Sequence, residues 1–437
     1  MTKLNKYQNN VFDFRKKEIY FFFKYLNKIK IDYAILGNLT NFPNKIKSDI
    51  DLFLDFKNSS ELKNLIKNFA KKRNLKIVNI LQHEYNSFYF VLTKKINNDL
   101  FNITLDFCNY YVYNSINLIN FSYLKKIKAK SKNVFYFRLN NRDNFYYYFI
   151  KKILKGDINN ESFKYLKKNK RFIIHNNFFN HNEKKFILNI LKSKNLFLFL
   201  NQTKYLRKII SSNKNISFLN EIKRFFFRIK YQTGFHIAFL GVDGSGKSLQ
   251  IDKLKNSNFR FFFRNVIIYH LFTLQTKQNK KKVIPYLKSY GYFFSFLKIL
   301  FLFFKFLRFY FLKVFFLKVK STLIISDRSH IDVIIDPHRY GIFFHISFLK
   351  LLFKIFPKPD LSIYLDAKSD TILKRSNELS KNLVKKNLIK YQKNLKNKKD
   401  IFFINSNKSS RKIKNDISQI LLRYLTNKSN LILKKIK

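Results

Sequence analysis

The chain is 437 residues long with a formal net charge of +61, from 87 Lys and Arg against 26 Asp and Glu. That length accommodates two or three domains with real cores, and a hydrophobic content of 46%, with 54 Phe, excludes a wholly disordered polycation. Eight glycines and a single cysteine, Cys108, exclude collagen-like and disulfide-framework chains.

One thiol fits a reducing compartment, and the opening MTKLNKYQNN is too polar to begin a secretory signal. A cytoplasmic protein is the expectation. The charge raises a nucleic-acid partner, because clustered Lys and Arg neutralise phosphates. Only 16 of the basic residues are Arg, however, and the lysines spread over the whole length. Lys, Asn, Ile, Phe and Tyr crowd the chain while Trp is absent. Those five residues have AT-rich codons, so base composition accounts for the charge more simply than ligand choice does.

Residues 8–30 carry Val11, Phe14, Ile19, Phe22, Phe23 and Leu26 at helical spacing. IDYAILGN then reads as a short strand ending at Gly37, SDIDLFLDF as a second strand and ELKNLIKNFAKKRNL as a helix. FYFVLTKK and FNITLDF read as further strands, so residues 1–125 form a mixed α/β domain. Residues two apart share a strand face. Asp49 and Asp51 therefore point together, and in FNITLDF Asp106 lies opposite the apolar set Phe101, Ile103, Leu105 and Phe107. Adjoining strands would bring three carboxylates together, the donor set that two Mg2+ ions require.

This pattern resembles the nucleotidyltransferase family of the polymerase-β type, which has Gly-Ser, then Asp-x-Asp, then a third Asp on a later strand. Gly37, Asp49, Asp51 and Asp106 match, while Asn38 stands in the Ser position. The resemblance implies an α+β domain with Asp49, Asp51 and Asp106 as metal ligands, metals that activate an attacking hydroxyl, and a nucleotide held by its phosphates. From 126 to 230 the strand signal weakens, and runs such as NFYYYFIKKILKGDI and NEKKFILNILKSK predict a mostly helical connecting region. That region resembles the helical extension of such transferases.

FHIAFLGVDGSGKSLQIDKL opens a fresh α/β domain over 231–437. Further strands at TLIISD, LSIYLD and IFFINS, with helical stretches between them, imply crossovers and a parallel sheet. Residues 292–317 (YFFSFLKILFLFFKFLRFYFLKVFFL) are apolar enough to suggest a membrane, but Lys298, Lys305, Arg308 and Lys313 interrupt them. No uncharged run reaches the roughly 20 residues that spanning requires. A long helix packed on the domain is expected, with peripheral contact at a membrane surface the alternative.

Gly241 to Ser248 (GVDGSGKS) fits G-x-x-x-x-G-K-S/T, and three of the eight glycines fall within it. Gly241, Gly244 and Gly246 permit the turn, and the backbone N–H groups there, with Ser245 among them, converge on phosphate oxygens. Lys247 would reach the β- and γ-phosphates of ATP, and Ser248 would ligate Mg2+. Asp327 ends an apolar strand, where a carboxylate can hold Mg2+ or its water. Arg328 beside it can clamp an acceptor phosphate and stabilise transferring charge. Arg375 can close over the phosphates as a lid, and Asp243 points from the loop toward the acceptor.

GVDGSGKSLQIDKL, IISDRSH, PKPDLSIYLD, LKRSNEL and IFFINSN, in this order, resemble the thymidylate kinase family over about 235–426. The resemblance implies a P-loop NTPase with a three-layer α/β/α fold and ATP-dependent phosphorylation of a nucleotide. It also implies a dimer as the oligomeric state. Leu249 replaces the family's Thr, and Asp336-Pro337-His338-Arg339-Tyr340-Gly341 stands where the family reads thymine. The expected function is a kinase acting on a nucleotide or other small-molecule acceptor, fused to a nucleotidyltransferase-like module. Two alternatives stay open. One is a Mg2+-dependent nucleotidyltransferase with a regulatory P-loop domain, and the other is a basic nucleic-acid-binding protein.

Overall fold

The computed structural model describes residues 3–37, 39, 42–43, 46, 49–97, 99–131, 134–175, 178–192, 195–211, 218–270, 291–376, 379–396, 398 and 400–436. Asn38 lies outside them, as do Asn377 and Glu378 of the expected lid segment. Contacts divide the chain into two units, Met1–Phe227 with Lys428–Lys437, and Arg228–Asn427.

The first unit opens with α1 (Lys3–Lys28), whose Ile19, Phe22, Phe23 and Leu26 are fully buried at helical spacing. Strands β1 (Tyr33–Ile35) and β2 (Ile50–Leu54) lead to α2 (Ser59–Arg73), and Phe22 packs edge-on against Phe69 of α2 at 4.8 Å. The Asn58 side chain caps α2 by accepting from the Glu61 N–H, and Asn74 ends it in the left-handed conformation. Then come β3 (Lys76–Glu84), β4 (Ser87–Ile96), β5 (Asp99–Cys108), the hairpin β6 (Tyr110–Tyr113) and β7 (Ile116–Asn120), β8 (Lys126–Ser131) and β9 (Val134–Leu139). Seven of these strands form one mixed sheet in the order β3-β4-β5-β2-β1-β9-β8.

Sheet structure thus continues past residue 125, into the stretch read as helical. The reason is visible in β8, an edge strand whose Lys126, Lys128 and Lys130 alternate with small or apolar residues. Lysine on an edge strand blocks pairing with other chains, and in the sequence it passes for a solvated helix. Strand β3 was likewise not anticipated. Helices α3 (Asn141–Lys155), α4 (Asn160–Lys168), α5 (His181–Lys192), α6 (Leu196–Ser211) and α7 (Phe218–Lys230) follow. Phe145, Phe149, Ile153, Ile187, Phe199 and Leu206 from three of these helices share a core with Phe53 and Phe121 of the sheet side.

The second unit is built on five parallel strands: β10 (Phe235–Leu240), β11 (Asn265–His270), β12 (Thr322–Asp327), β13 (Leu361–Asp366) and β14 (Ile401–Asn405). Their order is β11-β12-β10-β13-β14, so the first strand lies at the centre. Strand β11 adds an edge to the expected set. Such an all-parallel sheet needs helical crossovers, which α8 (Lys247–Lys255), α9 (Tyr292–Phe309), α10 (Phe315–Val319), α11 (His330–Ile335), α12 (Ile346–Lys354), α13 (Ser369–Arg375) and α14 (Lys381–Leu395) supply before the terminal α15 (Ser410–Lys435). The chain is therefore α/β in class, with a parallel sheet in the second unit and a mixed sheet in the first.

The run 292–317 forms α9, a π-helical turn at Tyr310–Val314 and α10. Ile299, Phe303 and Phe306 pack with Phe353 and Phe356, while Phe293, Phe294, Phe301 and Phe304 face outward. No helix among the described residues is long and apolar enough to cross a membrane.

Candidate active site

The loop over 241–246 leaves β10, which carries six consecutive buried residues, and enters α8. Gly246 caps α8 in the left-handed conformation. Gly244 is also left-handed, and a Cβ there would sit 3.0 Å from the Ile372 carbonyl oxygen, so only glycine fits. The Lys247 ammonium is buried and donates to the Gly241 and Val242 carbonyls at 2.9 and 3.0 Å, and it lies 3.5 Å from the Asp243 carboxylate. Burial, and then the nearby Arg328 guanidinium, hold Lys247 below its ordinary pKa against the pull of Asp243, Asp327 and Asp332.

Parallel pairing of β10 with β12 sets Phe239 opposite Asp327, so the end of β12 lies beside the loop. Asp327 Oδ2 lies 3.4 Å from His270 Nδ1, and its Oδ1 is buried with no hydrogen-bond partner among the described residues. The Ser245 hydroxyl is in the same state. A carboxylate oxygen and a hydroxyl left buried and unpaired cost about 1–3 kcal/mol each. They fit a magnesium-held water and a phosphate oxygen, the hard oxygen chemistry that Mg2+ takes. Ser248 is exposed at the second position of α8.

Arg328 has a φ of +77°, a conformation uncommon for a non-glycine residue, and its N–H donates to Phe239 O at 3.0 Å. Its guanidinium pairs with Asp243 and lies 3.6 Å from Asp332. Burial opposes the charge, and these two carboxylates outweigh it, so Arg328 stays above its usual value. Lys247, Asp243 and Arg328 thus meet at one place. Arg375, exposed at the end of α13, donates to Ser406 O at 3.3 Å, and its Nη1 is 3.9 Å from where a Gly246 Cβ would be.

Three side chains beside the loop carried no sequence-level assignment. Asp332 accepts from the Ser329 N–H at 2.7 Å in a capping box that opens α11, and also from the Tyr391 hydroxyl. Asn387 donates to Asp336 at 3.3 Å. The Ser-x-x-Asp spacing was a readable signal for the cap. Tyr391 and Asn387 lie over 50 residues downstream on α14, and no local pattern marks them.

In the first unit, β2 pairs in parallel with β5, and Asp51 stands directly opposite Asp106. One carboxylate oxygen from each of Asp49, Asp51 and Asp106 lies within 4.8 Å of the others. Burial, and next the Asp51 carboxylate, push Asp106 up to about 7. Helix α3 adds Lys151, ion-paired with Asp51, and burial of this lysine is outweighed by Asp51 and Asp106, which raise its pKa. Asn144, two turns earlier on α3, holds Gly37 by a reciprocal pair of hydrogen bonds at 2.8 and 2.7 Å. The helical spacing of Asn144, Tyr147 and Lys151 was legible, but their approach to Gly37 and Asp51 needed the fold. Oxygen donors in this number suit Mg2+, with Lys151 already supplying one positive charge.

No known protein-family model matches this sequence, and no curated protein matches it. Among solved structures, the chain is similar to thymidylate kinase from Candida albicans, at 17% identity over 44% of this chain and 93% of that chain, with a TM-score of 0.33.

Proposed function

We propose that the second unit is an ATP-dependent phosphotransferase that moves the γ-phosphoryl group of ATP to a nucleotide or other small-molecule acceptor. The observation that carries this reading is the loop Gly241–Ser248 between a buried strand and a helix, with Lys247, Asp243 and Arg328 converging on it. Lys247 holds the β- and γ-phosphates, backbone N–H groups of the loop cradle them, and Arg328 stabilises the transferring charge. Ser248 and Asp327 would hold Mg2+, which neutralises phosphate charge when bound. Arg375 closes the loop from the α13 side. Replacing Lys247 with Ala is expected to lower ATP turnover by the purified chain about 10³-fold, the scale of losing one cation from a phosphoryl-transfer site. Unchanged turnover would sink the assignment.

A second reading concerns the first unit, and the convergence of Asp49, Asp51 and Asp106 favours it. We propose that this unit binds a nucleotide through Mg2+ and transfers a nucleotidyl group, with pyrophosphate as the leaving group. Where that is the principal chemistry, the phosphate loop serves regulation.

A further inference from the structure

Helix α9 is apolar on every side, and only its inner side is covered among the described residues. Ile299, Phe303 and Phe306 pack there with Phe353 and Phe356, in and just after α12. On the outer side Phe294, Leu297, Phe301 and Phe304 follow one another at spacings of three and four, and Phe311 and Leu312 prolong the stripe into the π-helical turn. Each of these six is between 44% and 64% exposed. A contiguous apolar surface of this kind marks an interaction site.

The charges on this surface are of one sign. Lys305, Arg308 and Lys313 are exposed among the rings, and Arg308 takes the stripe position between Phe304 and Phe311. No Asp or Glu occurs between Asp252 and Asp327, nor between Asp336 and Asp360, although the chain holds 26 of them. The second of these gaps contains α12, which exposes Leu351 with Lys350 and Lys354. That combination selects the occupant. Nucleic acid would pair the cations and leave the phenyl rings in water, and an apolar protein groove would bury the rings and strand the cations. A second copy seated here about a twofold axis would set cations against cations with no acid on the face to pair them. A bilayer surface with anionic headgroups takes both: the rings enter the acyl boundary, while Lys and Arg stems lie along it with their charges at the phosphates.

We infer that the second unit docks on the surface of an anionic lipid bilayer through the outer side of α9 and the turn after it. The helix lies in the interface and does not cross it, in keeping with the charges that interrupt its apolar run. Apolar insertion and headgroup attraction act together there, so neutral lipid alone holds the chain more weakly.

The test floats the full chain with vesicles of phosphatidylcholine alone or mixed with phosphatidylglycerol, at about 0.15 M salt. Strong flotation with the mixed vesicles and weak flotation with the neutral ones is expected. Replacing Leu297, Phe301 and Phe304 together with Ser keeps the net charge and should lower the partition coefficient about 10²-fold. Phe225→Ser with Phe226→Ser, on exposed rings of α7, should leave it at the parent value. The chain has no Trp, so Phe301→Trp is a lone reporter that tests the same contact without removing a ring. Its emission should shift to the blue on mixed vesicles and be quenched by brominated acyl chains. Flotation that the triple variant leaves unchanged, or Trp emission that stays unshifted on floated chain, means that the general lysine field alone holds the vesicle, and overturns the inference. An equal loss in the α7 variant overturns it too, as does failure of the parent chain to float. A parent dimer in sedimentation equilibrium that the triple variant makes monomeric assigns the face to a second copy instead.

Discussion

Two histidines of the second unit sit where a positive charge is most costly. His236, on the central strand β10, bonds to Ser326 Oγ at 3.0 Å, and burial pushes its pKa down to about 4 despite Asp360 nearby. His330 stacks on Phe353, and burial, reinforced by Lys398 and Lys358, holds it at about 3. Both stay neutral in the fold and bind protons once unfolded, where histidine titrates near 6.5. The stability that their neutrality supports is complete above pH 6.5 and is lost as pH falls toward the folded values, by about 1.4 kcal/mol per pH unit for each. The histidine contribution to stability, read from the unfolding midpoint, should therefore slope downward between pH 6.5 and 5, against the opposite contribution of Asp106, whose raised pKa adds stability as pH falls through the same range. His330→Phe keeps the ring packing and should remove about half of that slope. A slope identical in the variant refutes the account.

At the scale of elements, the first unit's carboxylates depend on strand order. Because β2 pairs with β5, which is not its neighbour in sequence, residues 55 positions apart face each other as Asp51 and Asp106. Alternation along each strand was readable from the apolar pattern, and the convergence follows only once the two strands adjoin. The same contrast runs through the second unit. Gly241, Gly244, Gly246 and Lys247 announce their loop locally, because a turn that cradles phosphate demands those residue types in a row. Tyr391 and Asn387 reach the loop from a helix whose own sequence is an ordinary amphipathic run, so nothing nearby reveals them. Edge strands β8 and β11 were missed for a related reason: half-exposed strands lose the continuous apolar signature of β10. The β2–β5 register carries its own prediction. Asp49→Asn together with Asp51→Asn removes two of the three carboxylate charges, and Mg2+-dependent pyrophosphate release from nucleoside triphosphates should fall by about 10² or more. Release that persists at the parent rate refutes the metal site.

At the scale of the whole molecule, two units carry two separate sets of interpretable residues, and in each set the aspartates, glycines and arginines are scarce types in a lysine-rich chain. The charge of +61 belongs to a different level. Many exposed lysines attract any polyanion through counterion release, so affinity for duplex DNA at low ionic strength would say little about function. What separates a general field from a built nucleic-acid site is the response to salt and to sequence. A field engaging 6–10 phosphates loses about 10³–10⁵ in affinity between 50 and 200 mM salt. A site that reads bases keeps about 10³ or more in preference for its target. For this chain the expected outcome is steep loss with salt and equal affinity for unrelated duplexes of one length, read by fluorescence anisotropy across that salt range. Retained binding at 200 mM to one sequence over the others would make nucleic acid the partner, and would give the lysines a specific role that their even spread does not suggest.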